Sequence, residues 1–110
     1  MIASDIDPRK VLNLTDKYYD TRVRPIMYNY VKEKKYFQRN SAIALGNTRD
    51  SQYIDDLGKA LEDIEPIVRG YAAWGLGRIG EIRSKQILES HLIKEKDSLV
   101  LTEIQNTLSF

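Results

Sequence analysis

The residues of this chain best suited to chemistry lie in its first third. Between Lys17 and Arg39 it carries Lys17, Arg22, Arg24, Lys32, Lys34, Lys35 and Arg39 against Asp20 and Glu33, interleaved with Tyr18, Tyr19, Tyr28, Tyr30 and Tyr36. Cations that neutralise phosphates, set beside rings that stack on unpaired bases, are what RNA recognition uses. Several of these tyrosines must also fill a core, so an ordinary solvated helix face competes with RNA as the reading of this segment.

Other patterns look chemical and reduce to packing or solvation. Gly75-Leu76-Gly77-Arg78-Ile79-Gly80 has the G-x-G-x-x-G spacing of a dinucleotide loop, but such a loop must leave a strand and open a helix. Here it closes a helix, whose negative end repels an anion, so close packing and a helix cap are expected instead. His91 is the single histidine, which excludes a histidine cluster; counting leaves a Ser-His-Asp arrangement open, but no serine sits on a sharp strand-to-helix turn, and a surface or hydrogen-bonded role is expected. Trp74 lies in an apolar stripe and is expected in the core. Asp55, Asp56, Glu62, Asp63 and Glu65 form an acidic stretch whose plain reading is a solvated helix face. Within it, Asp55, Asp56, Lys59 and Glu62 are the candidate surface for a protein partner. The sequence has no cysteine, which excludes disulfides, thiolate metal sites, cysteine nucleophiles and cysteine-ligated clusters from these 110 residues. No catalytic and no metal-ligating residue is expected.

Charge is unevenly spread behind a net value of +1. Residues 1–40 hold nine Lys/Arg against five Asp/Glu, whereas residues 41–66 hold two against six. Recognition of an anion therefore starts from the first third. No apolar run approaches the ~20 residues of a membrane helix, and an N-terminus with Asp5 and Asp7 lacks the form of a secretory signal, so a cytoplasmic location is expected. The length suits one domain.

The elements that must position these residues are written twice. Residues 37–46 and 68–77 match at a single offset, with Ala42 on Ala73, Leu45 on Leu76 and Gly46 on Gly77. A repeat of this length points to a helical solenoid. In the first helix of each copy, Phe37, Ser41, Ala44 and Leu45 correspond to Val68, Ala72, Gly75 and Leu76, a core-facing stripe. In the second, Ile54, Leu57 and Leu61 correspond to a stripe that includes Leu88 and Leu92. A worn third copy places Val100, Ile104 and Leu108 at the same spacing, and its polar outer residues suit a terminal cap. Gly46-Asn47 and Gly77 are expected to end the first helices as left-handed caps, with Asp50 or Ser51 opening the helix that follows. Asp7-Pro8 opens a short helix to about Leu14, Thr15 a second that Pro25 interrupts, and Glu65-Pro66 the second copy. The expected fold is all-α, a short right-handed α-solenoid: N-terminal helices over 8–35, repeats over 36–66 and 67–97, and a capping helix over 98–110.

Two phrases then carry a family resemblance. Arg39-Asn40-Ser41-Ala42-Ile43-Ala44-Leu45-Gly46-Asn47 and Val68-Arg69-Gly70-Tyr71-Ala72-Ala73-Trp74-Gly75-Leu76-Gly77-Arg78-Ile79-Gly80 together resemble the HEAT-like repeats, of the phycobilin-lyase (PBS lyase) type, at the C-terminus of epoxyqueuosine reductase and related iron–sulfur proteins. The resemblance runs from about Tyr36 to Ile82. It implies a non-catalytic module, the C-terminal domain or a fragment of a larger protein. In that family, 4Fe-4S clusters and a cobalamin, held upstream of the repeats, reduce the queuosine precursor in tRNA, and the repeats help hold the tRNA. The phosphate contacts expected on that basis are Arg22, Arg24, Lys32, Lys34, Lys35 and Arg39, with Arg69 and Arg78 extending the track. The alternative is a scaffold that receives an upstream iron–sulfur domain or another protein on the Asp55, Asp56, Lys59 and Glu62 surface.

Overall fold

The structure, a computed structural model, describes residues 8–13 and 34–109. The expected helix from Thr15 to Pro25 lies outside these residues, as does Asp7. Helix α1 spans Pro8–Leu12, ending two residues before the expected Leu14. Helix α2 spans Lys34–Thr48, and a 3₁₀ turn at Ser51–Tyr53 leads into α3, Ile54–Ala60. Then come α4, Pro66–Ile79, α5, Ile82–Leu92, and α6, Ser98–Leu108.

Helices α2, α4 and α6 lie side by side as one layer, and α3 and α5 form a second layer against it, with α1 packed on α2 and α3. The core runs between the layers through Leu45, Leu57, Leu61, Val68, Ala72, Leu76, Leu88, Val100 and Ile104. An all-α, solenoid-like stack of helical hairpins is therefore what the repeat builds.

The helix starts follow from local chemistry. Asp50 accepts the Gln52 backbone N–H at 3.0 Å and caps the 3₁₀ turn. Pro66 occupies the first turn of α4, where its missing N–H leaves no bond unmade. Asp97 caps α6 by accepting the Leu99 and Val100 N–H groups at 3.0 and 3.1 Å.

The helix ends correct the expected role of the glycines. Helix α2 continues through Gly46-Asn47 to Thr48, and the left-handed residue beyond it is Arg49, at φ 55°. Helix α4 continues through Gly77, and its left-handed cap is Gly80, at φ 72°, whose N–H reaches the Leu76 carbonyl at 3.0 Å. Gly46 and Gly77 serve contact between helices instead. A Cβ on Gly46 would stand 2.7 Å from the Gly75 Cα, and one on Gly77 would stand 2.4 Å from the Thr107 Cγ2. Backbone-to-backbone approach of α2 to α4 thus requires hydrogen at residue 46.

Two further expectations change. Ala44 is exposed; the buried side of α2 is Phe37, Gln38, Ser41, Ala42, Leu45 and Gly46, so Ala42 takes the core position. Trp74 is half-buried rather than in the core. Its ring would lie 3.2 Å from a Cβ at Gly46, so it leans across the α2–α4 seam.

Gly46→Ala is expected to lower stability by about 1–3 kcal/mol through overpacking against α4, although alanine is the better helix former. Gly70→Ala, where a Cβ meets only the Val100 Cγ2 at 4.0 Å, is expected to raise it by about 0.5–1 kcal/mol. Thermal or urea unfolding followed by circular dichroism measures both.

Candidate nucleic-acid interface

Because α2, α4 and α6 lie side by side, their outward residues form one surface in register. Helical spacing puts Tyr36, Asn40, Ile43 and Asn47 on the outer stripe of α2. The corresponding stripe of α4 is Ile67, Tyr71, Trp74 and Arg78, and that of α6 begins Leu99, Glu103 and Asn106. Arg39 lies over the Tyr36 ring, 5.1 Å from its centroid, and Lys35 lies 5.6 Å from the same centroid. Arg39 Nε and Nη2 also donate to Asn40 Oδ1, at 3.1 and 3.0 Å. In the last turn of α4, Arg78 lies 5.7 Å from the centre of Trp74. Helices α2 and α4 therefore each offer a cation beside an aromatic face on the outer side, an arrangement able to hold a phosphate and a base together.

The structure distributes the expected phosphate contacts unequally. Lys35 and Arg39 converge on Tyr36, with Lys34 beside them at the start of α2. Arg78 is exposed in the last turn of α4, where the helix dipole favours a cation. Arg22, Arg24 and Lys32 lie outside the described residues.

Arg69 is turned inward. Its Nε and Nη2 donate to Glu95 at 2.8 and 3.0 Å, and its Nη1 donates to the carbonyls of Asp63 and Ile64 at 2.8 and 3.0 Å. Its guanidinium is committed to joining the loop before α4 to the loop before α6. Glu95, whose side chain is 2% exposed, also accepts the Lys96 and Asp97 N–H groups at 3.1 and 3.0 Å. His91 Nε2 meets Glu95 Oε1 at 2.7 Å, and because an ionised carboxylate only accepts, that nitrogen is the donor. Burial pushes the Glu95 carboxyl up, but the Arg69 hydrogen bonds, the Asp97 N–H and His91 outweigh it and hold the group at about 2. The same hydrogen bond to Glu95, working against burial, raises Arg69.

No sequence motif marks Glu95. The signal that finds it is the repeat offset, which brings Gln38 onto Arg69 and, one residue further, Asp63 onto Glu95. In the first copy Gln38 Nε2 donates to Asp63 Oδ2 and to the Leu12 carbonyl, each at 2.9 Å, while Asp63 Oδ1 accepts the Glu65 N–H at 2.9 Å. One polar clamp is therefore built twice around a carboxylate, with a neutral amide as its donor in the first copy and a guanidinium in the second.

The acidic second helix is matched by cations across the hairpins. Asp55 pairs with Arg83, and Glu62 pairs with Lys94 at 2.7 Å, which holds its carboxyl below the usual range. Asp56 is half-buried with its carbonyl accepting from Asn13 Nδ2 at 3.1 Å, and Lys59 is exposed. The surface expected for a protein partner is thus a ledge of paired charges on α3 and α5. The six residues of the G-x-G-x-x-G pattern close α4, and the Gly80 N–H is taken by the Leu76 carbonyl. Among the described residues no group of three His, Asp or Glu side chains could hold a metal, and without cysteine the chain does not fit a four-iron cluster.

Helical hairpins stacked in register, with small residues where their first helices touch, define an α-solenoid repeat module. The chain belongs to the HEAT repeats family, whose model matches residues 25–109. It is 38% identical over 84 residues to the epoxyqueuosine reductase of Bacillus cereus, covering 76% of this chain and 22% of that protein. It is 47% identical over 72 residues to a Geobacillus stearothermophilus protein known from the gldA 3′ region, covering 64% of this chain and 33% of that one. The chain therefore spans between about a fifth and a third of these relatives. Among solved structures, an epoxyqueuosine reductase with an epoxyqueuosine-modified tRNA-Tyr stem loop superposes with a TM-score of 0.76 at 28% identity, over 93% of this chain and 27% of that one. A Bacillus subtilis epoxyqueuosine reductase gives 0.78 at the same identity and coverage.

Glu95 makes stability depend on acid. Its folded value of about 2 lies below the ordinary 4.5, so its contribution is complete above pH 4.5 and is lost as pH falls towards 2. Urea unfolding across that range should show a loss on the order of 3 kcal/mol, and Glu95→Gln should flatten this limb. Arg69→Ala, which strands the buried carboxylate, should cost about 3–5 kcal/mol at neutral pH by the same measurement.

Proposed function

We propose that the chain is a non-catalytic HEAT-repeat module of an epoxyqueuosine-reductase-like iron–sulfur protein, and that it contacts tRNA through the outer face of α2 and the C-terminal end of α4. The observation that carries this reading is the recurrence of a cation over an aromatic ring, Arg39 on Tyr36 and Arg78 on Trp74, on neighbouring helices that face the same way. Lys34 and Lys35 extend the positive end of the face, and the masked-charge ledge of α3 and α5 lies in the other layer. A relative solved with a tRNA stem loop shares this fold over nearly the whole chain, which supports the same reading.

In this account Arg39 and Arg78 meet phosphate, while Tyr36 and Trp74 give unpaired bases a stacking surface. Arg69 does not reach the ligand; it holds α4 in the orientation that presents Trp74 and Arg78. The chemistry of reduction belongs to cofactors held outside these repeats.

Titration of the chain with an unmodified tRNA at two salt concentrations tests the proposal. Affinity should fall as salt rises, because phosphate contacts release counterions. Arg39→Ala and Arg78→Ala should each weaken binding about threefold to tenfold and reduce the salt slope by about one, and Asp55→Lys should change the specific contacts little. Absence of binding at low salt, or binding indifferent to salt, contradicts it.

A further inference from the structure

The outer face changes character at the N-terminal ends of α4 and α6. There the two helices enclose a groove of about 490 Å³, and its lining includes Ile67, Tyr71, Leu99 and Val100. Leu99 is 80% exposed and Tyr71 37%, so two of the large apolar side chains the fold leaves in water share one concavity. Isolated exposed apolar residues are ordinary on a protein surface, but apolar side chains gathered in a groove mark a binding surface. The floor is open at Gly70, where a Cβ would meet only the Val100 Cγ2 at 4.0 Å.

The rim decides what enters. Glu65, Asp97 and Glu103 stand around the groove, with Lys35 as the cation in its lining. Among the described residues the Glu65 carboxylate has no hydrogen-bond or ion-pair partner, and Glu103 accepts only a long bond from Thr107 Oγ1, at 3.4 Å. Asp97 spends Oδ1 on the α6 cap. These carboxylates repel phosphate and attract ammonium and guanidinium groups, while the floor takes a side chain of carbon.

We propose that this groove docks a segment of another protein that presents an apolar side chain flanked by lysine or arginine. The apolar residue fills the space over Gly70 between Tyr71 and Leu99, and the flanking cations meet Glu65 and Glu103. Lys35 borders both this groove and the RNA-contacting face, whereas Glu65, Tyr71, Leu99 and Glu103 belong to the groove alone.

The test is to pan a displayed library of random twelve-residue peptides against the full 110-residue chain and measure the affinities of the enriched peptides. Enriched peptides should combine Lys or Arg with Leu, Ile or Phe and lose affinity as salt rises. Their binding should fall about tenfold or more, some 1.4 kcal/mol, against Leu99→Asp and against Gly70→Leu, which fills the floor without altering charge. Circular dichroism checks that both variants fold, and the charge-neutral Gly70→Leu should leave tRNA binding unchanged. The proposal is overturned if no peptide enriches, if the enriched peptides lack cations, or if folded variants bind them as well as the parent does. It is also overturned if Gly70→Leu weakens tRNA binding, which gives the groove to RNA, or abolishes a self-association of the chain, which gives it to a second copy.

Discussion

The structure depends on one buried charge pair. Arg69 lies in α4 and Glu95 in the loop before α6, yet together they satisfy the Asp63 and Ile64 carbonyls, the Lys96 and Asp97 N–H groups and His91. A carboxylate so enclosed is costly to desolvate, and its ionised state persists because every contact it makes is a donor. The orientation of α4 between α2 and α6 rests on this pair, since the loops at the start of α4 and of α6 are tied through a single guanidinium.

Repetition of the clamp explains how the hairpins stack. Gln38 and Asp63 occupy the corresponding places in the first copy, and Gln38 is fully buried there, so an amide performs with two hydrogen bonds what Arg69 performs with four. Between the clamps, apolar side chains fill the space between layers, and glycines bring the first helices together. Gly46 against Gly75 and Gly77 against Thr107 are points where even a methyl group meets a hard contact. Side chains too large for those seams are left to the outer surface, where Tyr36 and Trp74 stand beside cations and Tyr71 beside carboxylates.

Much of the architecture was legible because a repeat reports packing twice. The matched stripes at Leu45 and Leu76, and at Leu57 and Leu88, locate the core without any knowledge of loops. The role of each glycine was harder, because sequence alignment draws a helix end to the residue both copies share. The helices run on to Thr48 and Ile79, since a helix stops where its hydrogen bonds stop and not where glycine first permits it. Ala44 was misplaced by one such step around the helix. Arg69 looks like a phosphate ligand in the sequence because charge type is visible there and charge partner is not; its partner lies twenty-six residues away along the chain. Trp74 shows the opposite error, an apolar ring taken for core that the close α2–α4 seam pushes outward.

What remains central is the claim that the α2 and α4 side of the stack, and not the α3 and α5 ledge, is the surface that meets RNA. Backbone amide chemical shifts of the isotope-labelled chain, recorded as a tRNA anticodon stem loop is added, address it directly. The account predicts shifts concentrated at Tyr36, Arg39, Trp74 and Arg78, with Arg83 and Lys94 still. Shifts concentrated instead at Asp55, Arg83, His91 and Lys94 would contradict it.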